Sequence, residues 1–471
     1  MLFRYLYDEA LSQASYLLGC DETREAIIVD PLRDVDRYIE LAAHHALHIT
    51  AVAETHIPAD YCSGARELAF RTSAQLYLSG CGDAHSRYDY AADAGAIEVR
   101  ERDLIDVGKV QLTVIHTPGH APEHVSFVVT DHAADRHPIG ILTGDFLFVG
   151  DVGRPDLLGM GQPDTQVMEG HARTLFRTLA RLAPLPDYLQ IWPGHGPGGV
   201  RGRAISGMPQ STLGYERHVN WAFRPQTEDT FVAALLAEPP DAPMYFGVMK
   251  QMNRTGPVML GGLPEVPARS GFEAQAWAQS GGFMVDARSA EAFAQAHLPA
   301  SLNIPGTRSF VSWFGSLIDY NTDVWLLAED EAQGVRLVRA LMSIGFDRIV
   351  GVSVADDALA GVDHAILPSR SAVALSGALG REGLEVLDVR SRDEFARGHV
   401  AGASHIPLGE LPHRFAEVPL DGTLVTICAN GTRSAIAASL LQMAGAAGVE
   451  HLHGGLEAWT NAGFALTSGE R

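Results

Sequence analysis

The chain has 471 residues, too many for a single hydrophobic core, so two to four domains are expected. A hydrophobic content of 46% with 20% charged residues is ordinary for a globular protein. The formal net charge of -22 lacks the basic footprint that nucleic acids and anionic membranes require, so neither is an expected partner.

The first twenty residues include Asp8 and Glu9, where a signal peptide would need an uninterrupted apolar stretch. No run approaches the roughly 18 apolar residues that cross a bilayer. The 4 cysteines are too few for a disulfide framework. We therefore expect a cytoplasmic protein with free thiols.

The first 200 residues alternate between strand-like and helix-like segments. Strands are predicted at 26–30, 48–54, 110–119, 123–131, 140–148 and 188–192, and helices at 36–46, 64–72 and 170–182. Clusters of His, Asp and Gly follow the apolar strands repeatedly. An α/β scaffold places its chemistry at such strand ends.

Four of these clusters contain candidate metal ligands. They hold, in chain order, His56 with Asp60 and Tyr61, then His120, then Asp145, and then His195. A single histidine at a strand end is more often a structural residue than a ligand. Here three of the four clusters also contain glycine, which lets the backbone turn sharply and aim a short side chain at a shared centre.

The order and spacing of these clusters resemble the metallo-β-lactamase superfamily over about residues 1–235. The family signature reads His-x-His-x-Asp-His, followed by a His, a bridging Asp and a final His. This chain departs from it twice, because Pro58 replaces the second His and Tyr61 the last. The resemblance implies an αββα sandwich, and the two losses count against a binuclear zinc site.

The ligands that remain, His56, His120 and Asp145, form the two-His-one-carboxylate set of mononuclear non-haem Fe(II) oxygenases. Within the superfamily, the persulfide dioxygenases use this subset of ligands, and residues 116–124 and 150–157 also look like that branch. The resemblance implies one Fe(II) per chain, with positions left for O2 and a substrate sulfur. Zinc is the alternative metal.

For each of four nearby residues the sequence supports two possible roles. Asp60 and His195 are expected to orient a ligand or the substrate, the alternative being direct coordination. Tyr61 either donates its hydroxyl toward the open face or packs. Arg154 either grips a substrate carboxylate or phosphate, or pairs locally with Asp151 or Asp156. Cys62 has no basic neighbour in the sequence and is expected to be a buried structural thiol.

An internal repeat occupies the second half of the chain. Four blocks recur with a constant offset of 102 residues: 285–288 and 387–390, 291–293 and 393–395, 297–301 and 399–403, and 303–305 and 405–407. A constant offset indicates two copies of one domain of about 100 residues. The Pro- and Gly-rich residues 238–270 before them show little periodicity and are expected to be a connecting segment.

In the second copy a strand runs into Cys428, a short Gly-containing loop and Arg433, and a helix is expected over 434–444. Backbone N–H groups at a helix start, together with Arg433, are expected to lower the thiol pKa and to stabilise bound anions. The segment resembles the rhodanese family, which implies that Cys428 carries a sulfane sulfur as a persulfide. In the first copy the strand leads into Ala328 and three acidic residues, so a structural role is expected there.

Together the predicted fold class is α/β, with the αββα sandwich followed by two rhodanese-type doubly wound α/β domains. The predicted segments are 1–237 (metallo-β-lactamase-like), 238–270 (connecting), 271–365 (degenerate rhodanese) and 366–471 (active rhodanese).

These resemblances imply a persulfide dioxygenase that forms sulfite, joined to a sulfurtransferase that interconverts sulfite and thiosulfate in sulfide detoxification. The expected partners are O2, sulfite or thiosulfate, and a small thiol persulfide of glutathione, coenzyme A or an analogue. A homo-oligomer is compatible with the sequence. The alternatives are a zinc thioester hydrolase like glyoxalase II and a non-catalytic carrier of sulfane sulfur.

Overall fold

The computed structural model describes residues 1–84, 86–155, 165–197, 205–237, 243–262, 265–419 and 422–469. The chain divides into two compact units, Met1–Pro264 with Met342–Gly345, and Glu265–Leu341 with Phe346–Arg471. The first unit contains the candidate metal ligands and the second contains both copies of the repeat. None of the helices in the described ranges combines the length and the apolar character that a membrane span requires.

Two six-stranded sheets form the middle of the first unit. The strands of the first sheet, in their order across it, are β1 Leu2–Asp8, β2 Gln13–Gly19, β3 Glu25–Val29, β4 His48–Ala53, β5 Gln75–Ser79 and β6 Ile97–Val99. The strands of the second sheet, again in order, are β7 Leu104–Val107, β8 Val110–His116, β9 Val125–Asp131, β10 Gly140–Gly144, β11 Gln190–Pro193 and β12 Ser211–Thr212.

Helices cover the outer faces of both sheets. They are α1 Asp36–His44, α2 Ala65–Thr72, α3 Thr165–Ala180, α4 Leu213–Val219 and α5 Glu228–Leu236, with a 3-10 turn at Trp221–Phe223. A further helix, α6 Phe246–Thr255, follows α5 in the chain. Tyr38 and Leu68 pack from α1 and α2 against the first sheet, and Leu175 and Phe231 pack from α3 and α5 against the second. A third apolar core fills the space between the sheets. The predicted αββα sandwich is confirmed.

The burial of each strand reflects these layers. β8 alternates, with Val110, Leu112 and Val114 buried in the core between the sheets. β2 and β10 are buried along their whole length because each has a packed layer on both faces. Polar side chains that follow the ends of these strands therefore lie in the interior of the protein.

The expected connecting segment at 238–270 contains the helix α6, which the sequence analysis missed. Phe246, Met249 and Asn253 are its buried positions, at the i, i+3 and i+7 spacing of one helix face. Pro243 and Gly256 on either side hid this short pattern among turn-forming residues. Residues 238–242 and 263–264 of the same segment lie outside the described residues.

The second unit contains two parallel sheets with the same strand arrangement. The first copy has α7 Gly271–Gln279, β13 Phe283–Asp286, α8 Ala290–Gln295, β14 Ser301–Asn303, α9 Phe310–Leu317, β15 Val324–Ala328, α10 Glu331–Met342, β16 Ile349–Val354 and α11 Ala355–Leu359. The second copy has β17 Ser369–Arg370, α12 Ala372–Ser376, β18 Leu384–Asp388, α13 Arg392–Arg397, β19 Ser404–His405, β20 Thr423–Ile427, α14 Thr432–Met443, β21 Val449–Leu452 and α15 Gly455–Asn461, with 3-10 turns at Leu408–His413 and Phe415–Glu417.

The strand orders, β14-β13-β15-β16 and β19-β18-β20-β21-β17, match strand for strand over the first four positions. The repeat found in the sequence is therefore a repeat of structure. The two copies also touch, since the backbone N–H of Asn303 on β14 donates to Ser439 Oγ on α14 at 3.0 Å. The helix that follows Cys428 is thus braced by the copy that lacks the cysteine.

A buried ion pair recurs at the same place in both copies. Arg288 Nη2 lies 2.6 Å from Asp286 Oδ2, and Arg390 Nη2 lies 2.6 Å from Asp388 Oδ2. In each pair the carboxylate side chain is fully buried and the arginine side chain is 8% exposed. Both guanidinium groups also donate to a backbone carbonyl eight residues along, which closes the following helical turn.

We predict that Arg288→Ala lowers the free energy of unfolding by about 3–5 kcal/mol, because it leaves the Asp286 carboxylate buried without its cation. Urea denaturation measures the loss. The matched control is Arg348→Ala, whose pair with Asp323 is about half exposed and 2.6 Å long; it should cost less than about 1 kcal/mol. Equal losses in the two variants would contradict the prediction.

Candidate functional site

Three side chains at the ends of strands bring their ligand atoms together. His56 follows β4, His120 lies between β8 and β9, and Asp145 follows β10. One ligand atom from each residue lies within 4.8 Å of the other two, and all three residues are buried. Nε2 of each histidine is 3.7 Å from Asp145 Oδ2. Two imidazole nitrogens and one carboxylate oxygen in this arrangement suit a single divalent transition metal.

Both histidines are oriented through their other ring nitrogen. Thr55 Oγ1 lies 2.9 Å from Nδ1 of His56 and donates its own proton to Asp30 Oδ2 at 2.9 Å. Because that proton is committed to Asp30, Nδ1 of His56 is the donor in the first contact. Nδ1 of His120 lies 2.7 Å from the carbonyl of Arg154, which can only accept. The Nε2 lone pair of each ring is therefore available to a metal.

His195 joins the two acidic residues of the site. Its Nδ1 lies 2.6 Å from Asp145 Oδ1, and its Nε2 lies 2.8 Å from Asp60 Oδ2. Asp145 thus presents Oδ1 to His195 and Oδ2 to the two ligand histidines. His195 is bonded to Oδ1 of Asp145, and Asp60 is bonded in turn to His195. This placement fits the expectation that they orient a ligand, and their role stays a prediction.

His124 supports the site, although the sequence analysis gave it no role. Its Nε2 accepts the backbone N–H of Asp145 at 3.0 Å, and its Nδ1 lies 2.8 Å from Thr117 Oγ1. The ring stacks on His56 with centroids 5.0 Å apart. Burial lowers the pKa of His124 to about 3, which keeps the ring neutral. Gly144 has a φ of +49°, and a Cβ there would lie 2.6 Å from His124 Nε2, so this packing requires glycine.

The remaining predicted residues surround this centre. Tyr61 is 2% exposed, and burial raises the pKa of its hydroxyl well above the usual value. Cys62 is fully buried, as expected for a structural thiol. Arg154 is buried and lines a cavity of about 490 Å³ together with Trp221 and Arg224. Its predicted partner Asp156 lies outside the described residues.

The second candidate site is built around Cys428, directly after β20. Its Sγ accepts the backbone N–H of Gly431 at 3.1 Å and lies 3.5 Å from Ser434 Oγ. Gly431 has a φ of +101°, a conformation that glycine adopts without strain, and α14 begins at the next residue. The thiol is therefore enclosed by the loop that precedes the helix, and the residue is fully buried.

Arg433 pairs with an acidic residue beside the sulfur site, and its expected role toward the thiol stays a prediction. Its guanidinium donates to both carboxylate oxygens of Glu394 on α13, at 2.7 Å each. Burial alone would raise the pKa of Glu394, but hydrogen bonds from Arg433 and Ser391 outweigh it and lower the pKa to about 2. The arginine beside the sulfur site is thus paired with Glu394, whose part in the site the sequence did not indicate.

Comparison with known proteins gives matches to both units. The model of the metallo-β-lactamase superfamily matches residues 8–195, and the model of the rhodanese-like domain matches residues 371–462. A crystal structure titled as a metallo-β-lactamase from Staphylococcus aureus is 38% identical and aligns with a TM-score of 0.67 over 75% of this chain and 99% of that one. The chain belongs to the metallo-β-lactamase superfamily. It also carries a C-terminal rhodanese-like domain.

Two curated members of the superfamily are similar over part of the chain. The mitochondrial persulfide dioxygenase of Homo sapiens is 29% identical over 223 residues, which cover 47% of this chain and 75% of that protein. A probable metallo-hydrolase of Burkholderia pseudomallei is 29% identical over 294 residues, which cover 55% of this chain and 92% of that protein. Relatives of this kind imply a metal at the His-His-Asp centre, whose identity they leave open.

The degenerate copy differs from the rhodanese-like domain at each position of the sulfur site. The backbone bonds from Ala287 to Leu327 and from Val389 to Ile427 show that Ala328 stands where Cys428 stands. Glu394 corresponds to Ala292 at the offset of 102 residues. The helix that corresponds to α14 begins with Glu-Ala-Gln, which supplies no cation. Glu394 occurs in the copy that has the cysteine and is alanine in the other copy. This difference is the sequence signal that could have indicated its pairing with Arg433.

We predict that Asp60→Asn weakens Fe(II) binding about 10- to 100-fold, because His195 then loses the carboxylate that orients it toward Asp145. Equilibrium competition against a coloured chelator under anaerobic conditions measures the affinity. His120→Ala removes a ligand atom and should abolish binding over the same concentration range. An equally complete loss in Asp60→Asn would mean that Asp60 is itself a ligand.

We predict that Glu394→Gln lowers the free energy of unfolding of the second unit in a pH-dependent way. The pKa of Glu394 is about 2 in the folded protein against a usual value of 4.5. Its ionised pair therefore stabilises the fold fully above about pH 5, and this stabilisation is lost as the pH falls through both values toward 2. Urea denaturation of wild type and variant at a series of pH values should show the difference shrinking with acidity. A difference that is constant with pH would contradict this.

Proposed function

We propose that the first unit is a mononuclear non-haem iron dioxygenase that oxidises a low-molecular-weight thiol persulfide. The observation that carries the proposal is the set of two histidines and one aspartate, His56, His120 and Asp145, whose ligand atoms lie within 4.8 Å of one another. Pro58 and Tyr61 stand where the two-metal motif of the superfamily has histidines, so the loop supplies two fewer imidazoles for a second ion. The similarity to a mitochondrial persulfide dioxygenase over 75% of its length supports the same reading.

His56, His120 and Asp145 are the residues that would hold the iron. When bound, Fe(II) would supply the activation of O2 and a coordination position for the substrate sulfur. The protein holds both imidazoles in the Nδ1–H form through Thr55 and Arg154. It also fixes the carboxylate plane of Asp145, through His195 on Oδ1 and His124 on the backbone N–H.

The proposed reaction balances without a further reductant. A persulfide R–S–SH, O2 and water give the thiol R–SH and sulfurous acid, which ionises to sulfite. The S–S bond breaks, the terminal sulfur is oxidised, and O2 accepts the electrons. Two of the three oxygen atoms of sulfite come from O2 and one from water.

The rhodanese-like domain would act on the product. The Cys428 thiolate takes the outer sulfur of a second thiol persulfide and releases the thiol R–SH, and the resulting cysteine persulfide transfers that sulfur to sulfite, which gives thiosulfate and the free thiolate. The backbone N–H of Gly431 donates to Sγ at 3.1 Å, so a backbone donor faces the sulfur that would carry the persulfide. The two activities together would remove sulfide-derived sulfur as thiosulfate.

The proposal predicts one iron per chain and O2 consumption with glutathione persulfide, measured by metal analysis and an O2 electrode. His120→Ala should lose both iron and O2 uptake, whereas the exposed His132→Ala is the matched control and should keep them. Zinc in the protein with no O2 uptake would instead favour the thioester hydrolase. Turnover and metal content unchanged in His120→Ala would indicate a carrier whose metal domain is inactive.

A further inference from the structure

The helix α6 lies outside the region that matches the superfamily model, yet it binds the loop that follows His56 and carries Asp60. Asn253 on this helix is 1% exposed. Its Nδ2 donates to the carbonyl of Pro58 at 2.8 Å and to the carbonyl of Tyr61 at 2.7 Å. Its Oδ1 accepts the backbone N–H of Ser63 at 2.9 Å. One amide side chain thus satisfies three backbone groups of residues 58–63.

Neighbouring residues of the same segment hold the flanks of this loop. The hydroxyl of Tyr245, just before α6, donates to the carbonyl of Asp60 at 3.2 Å. After the helix, the backbone N–H of Leu260 donates to Glu67 at 2.7 Å, and the carbonyl of Val258 accepts from Arg33 at 2.9 Å. The segment is therefore bonded to the loop and to the elements on both sides of it.

A chain of short contacts leads from this loop to the metal ligand atoms. Asp60 Oδ2 lies 2.8 Å from His195 Nε2, and His195 Nδ1 lies 2.6 Å from Asp145 Oδ1. The other oxygen of Asp145 is 3.7 Å from Nε2 of both ligand histidines. A shift of the loop would move Asp60, and through His195 it would rotate the Asp145 carboxylate.

This loop is also where the chain departs from the two-metal motif. Pro58 and Tyr61 stand where that motif has histidines. The loop therefore lacks two imidazole side chains that a metal ion could bind and so hold in place. The backbone carbonyls of these same two residues are the ones that Asn253 binds.

We propose that Asn253 is a positioning residue for the metal centre. By bonding the backbone at Pro58, Tyr61 and Ser63, it fixes the Asp60–His195–Asp145 chain that a second metal ion would otherwise fix. The proposal rests on the metal site of the proposed function, and it does not depend on which metal binds or which reaction follows.

The test compares two buried asparagines. Asn253→Ala should weaken the binding of Fe(II), measured anaerobically by chelator competition, about 10- to 100-fold. Asn303→Ala is the matched control, because Asn303 is also fully buried and donates to two backbone carbonyls, of Asp286 and Arg288, at 3.0 Å each. It lies in the degenerate copy and should leave the Fe(II) affinity unchanged. Unchanged affinity in Asn253→Ala would overturn the proposal.

A second variant keeps the test decisive if Asn253→Ala does not fold. Tyr245→Phe keeps the ring and removes the hydroxyl that donates to Asp60. It should weaken Fe(II) binding several-fold at an unchanged melting temperature, and wild-type affinity would overturn the proposal. The absorption spectrum of the Co(II)-substituted protein reports the geometry of the same site. If the native metal is zinc, the iron oxygenase proposal fails, while the Co(II) affinities of these variants still test Asn253.

Discussion

The metal centre depends on the Asp145 carboxylate, whose two oxygens have different partners. Oδ1 is held by His195 at 2.6 Å, and Oδ2 faces the Nε2 atoms of His56 and His120. A carboxylate that had both oxygens directed at metal would suit a bridging position between two ions. Because His195 holds one oxygen, the carboxylate presents the other oxygen to the two histidines.

The residues that hold this metal centre in place come from distant parts of the chain. They act through both side-chain and backbone groups. Thr55 and the Arg154 carbonyl set the histidine tautomers, and His124 holds the backbone of Asp145. The helix α6 then fixes the loop behind Asp60 through Asn253. Because all of these residues are buried, each hydrogen bond acts in a medium where an unmade partner is costly.

Comparison of the two copies distinguishes residues that the shared fold requires from residues that occur only beside the cysteine. The buried pairs Asp286–Arg288 and Asp388–Arg390 have the same geometry, so the fold requires them in both copies. Cys428 and its neighbours Glu394 and Arg433 occur together in one copy only. The Glu394–Arg433 ion pair and the cysteine are both absent from the first copy, so neither is required by the fold that the two copies share.

The sequence by itself determined the αββα sandwich, the repeat, the three candidate metal ligands and the position of the cysteine in the rhodanese-like domain. It could do so because patterns of residue type and spacing indicate these features, such as glycines at strand ends, a constant offset between repeated blocks and a cysteine before a helix. Only the tertiary structure decided that His195 bridges Asp60 and Asp145, that Glu394 holds Arg433, and that α6 supports the metal loop. These contacts join residues 39 to 195 positions apart. The direction in which a side chain points across such a gap depends on packing, which residue type and spacing do not encode.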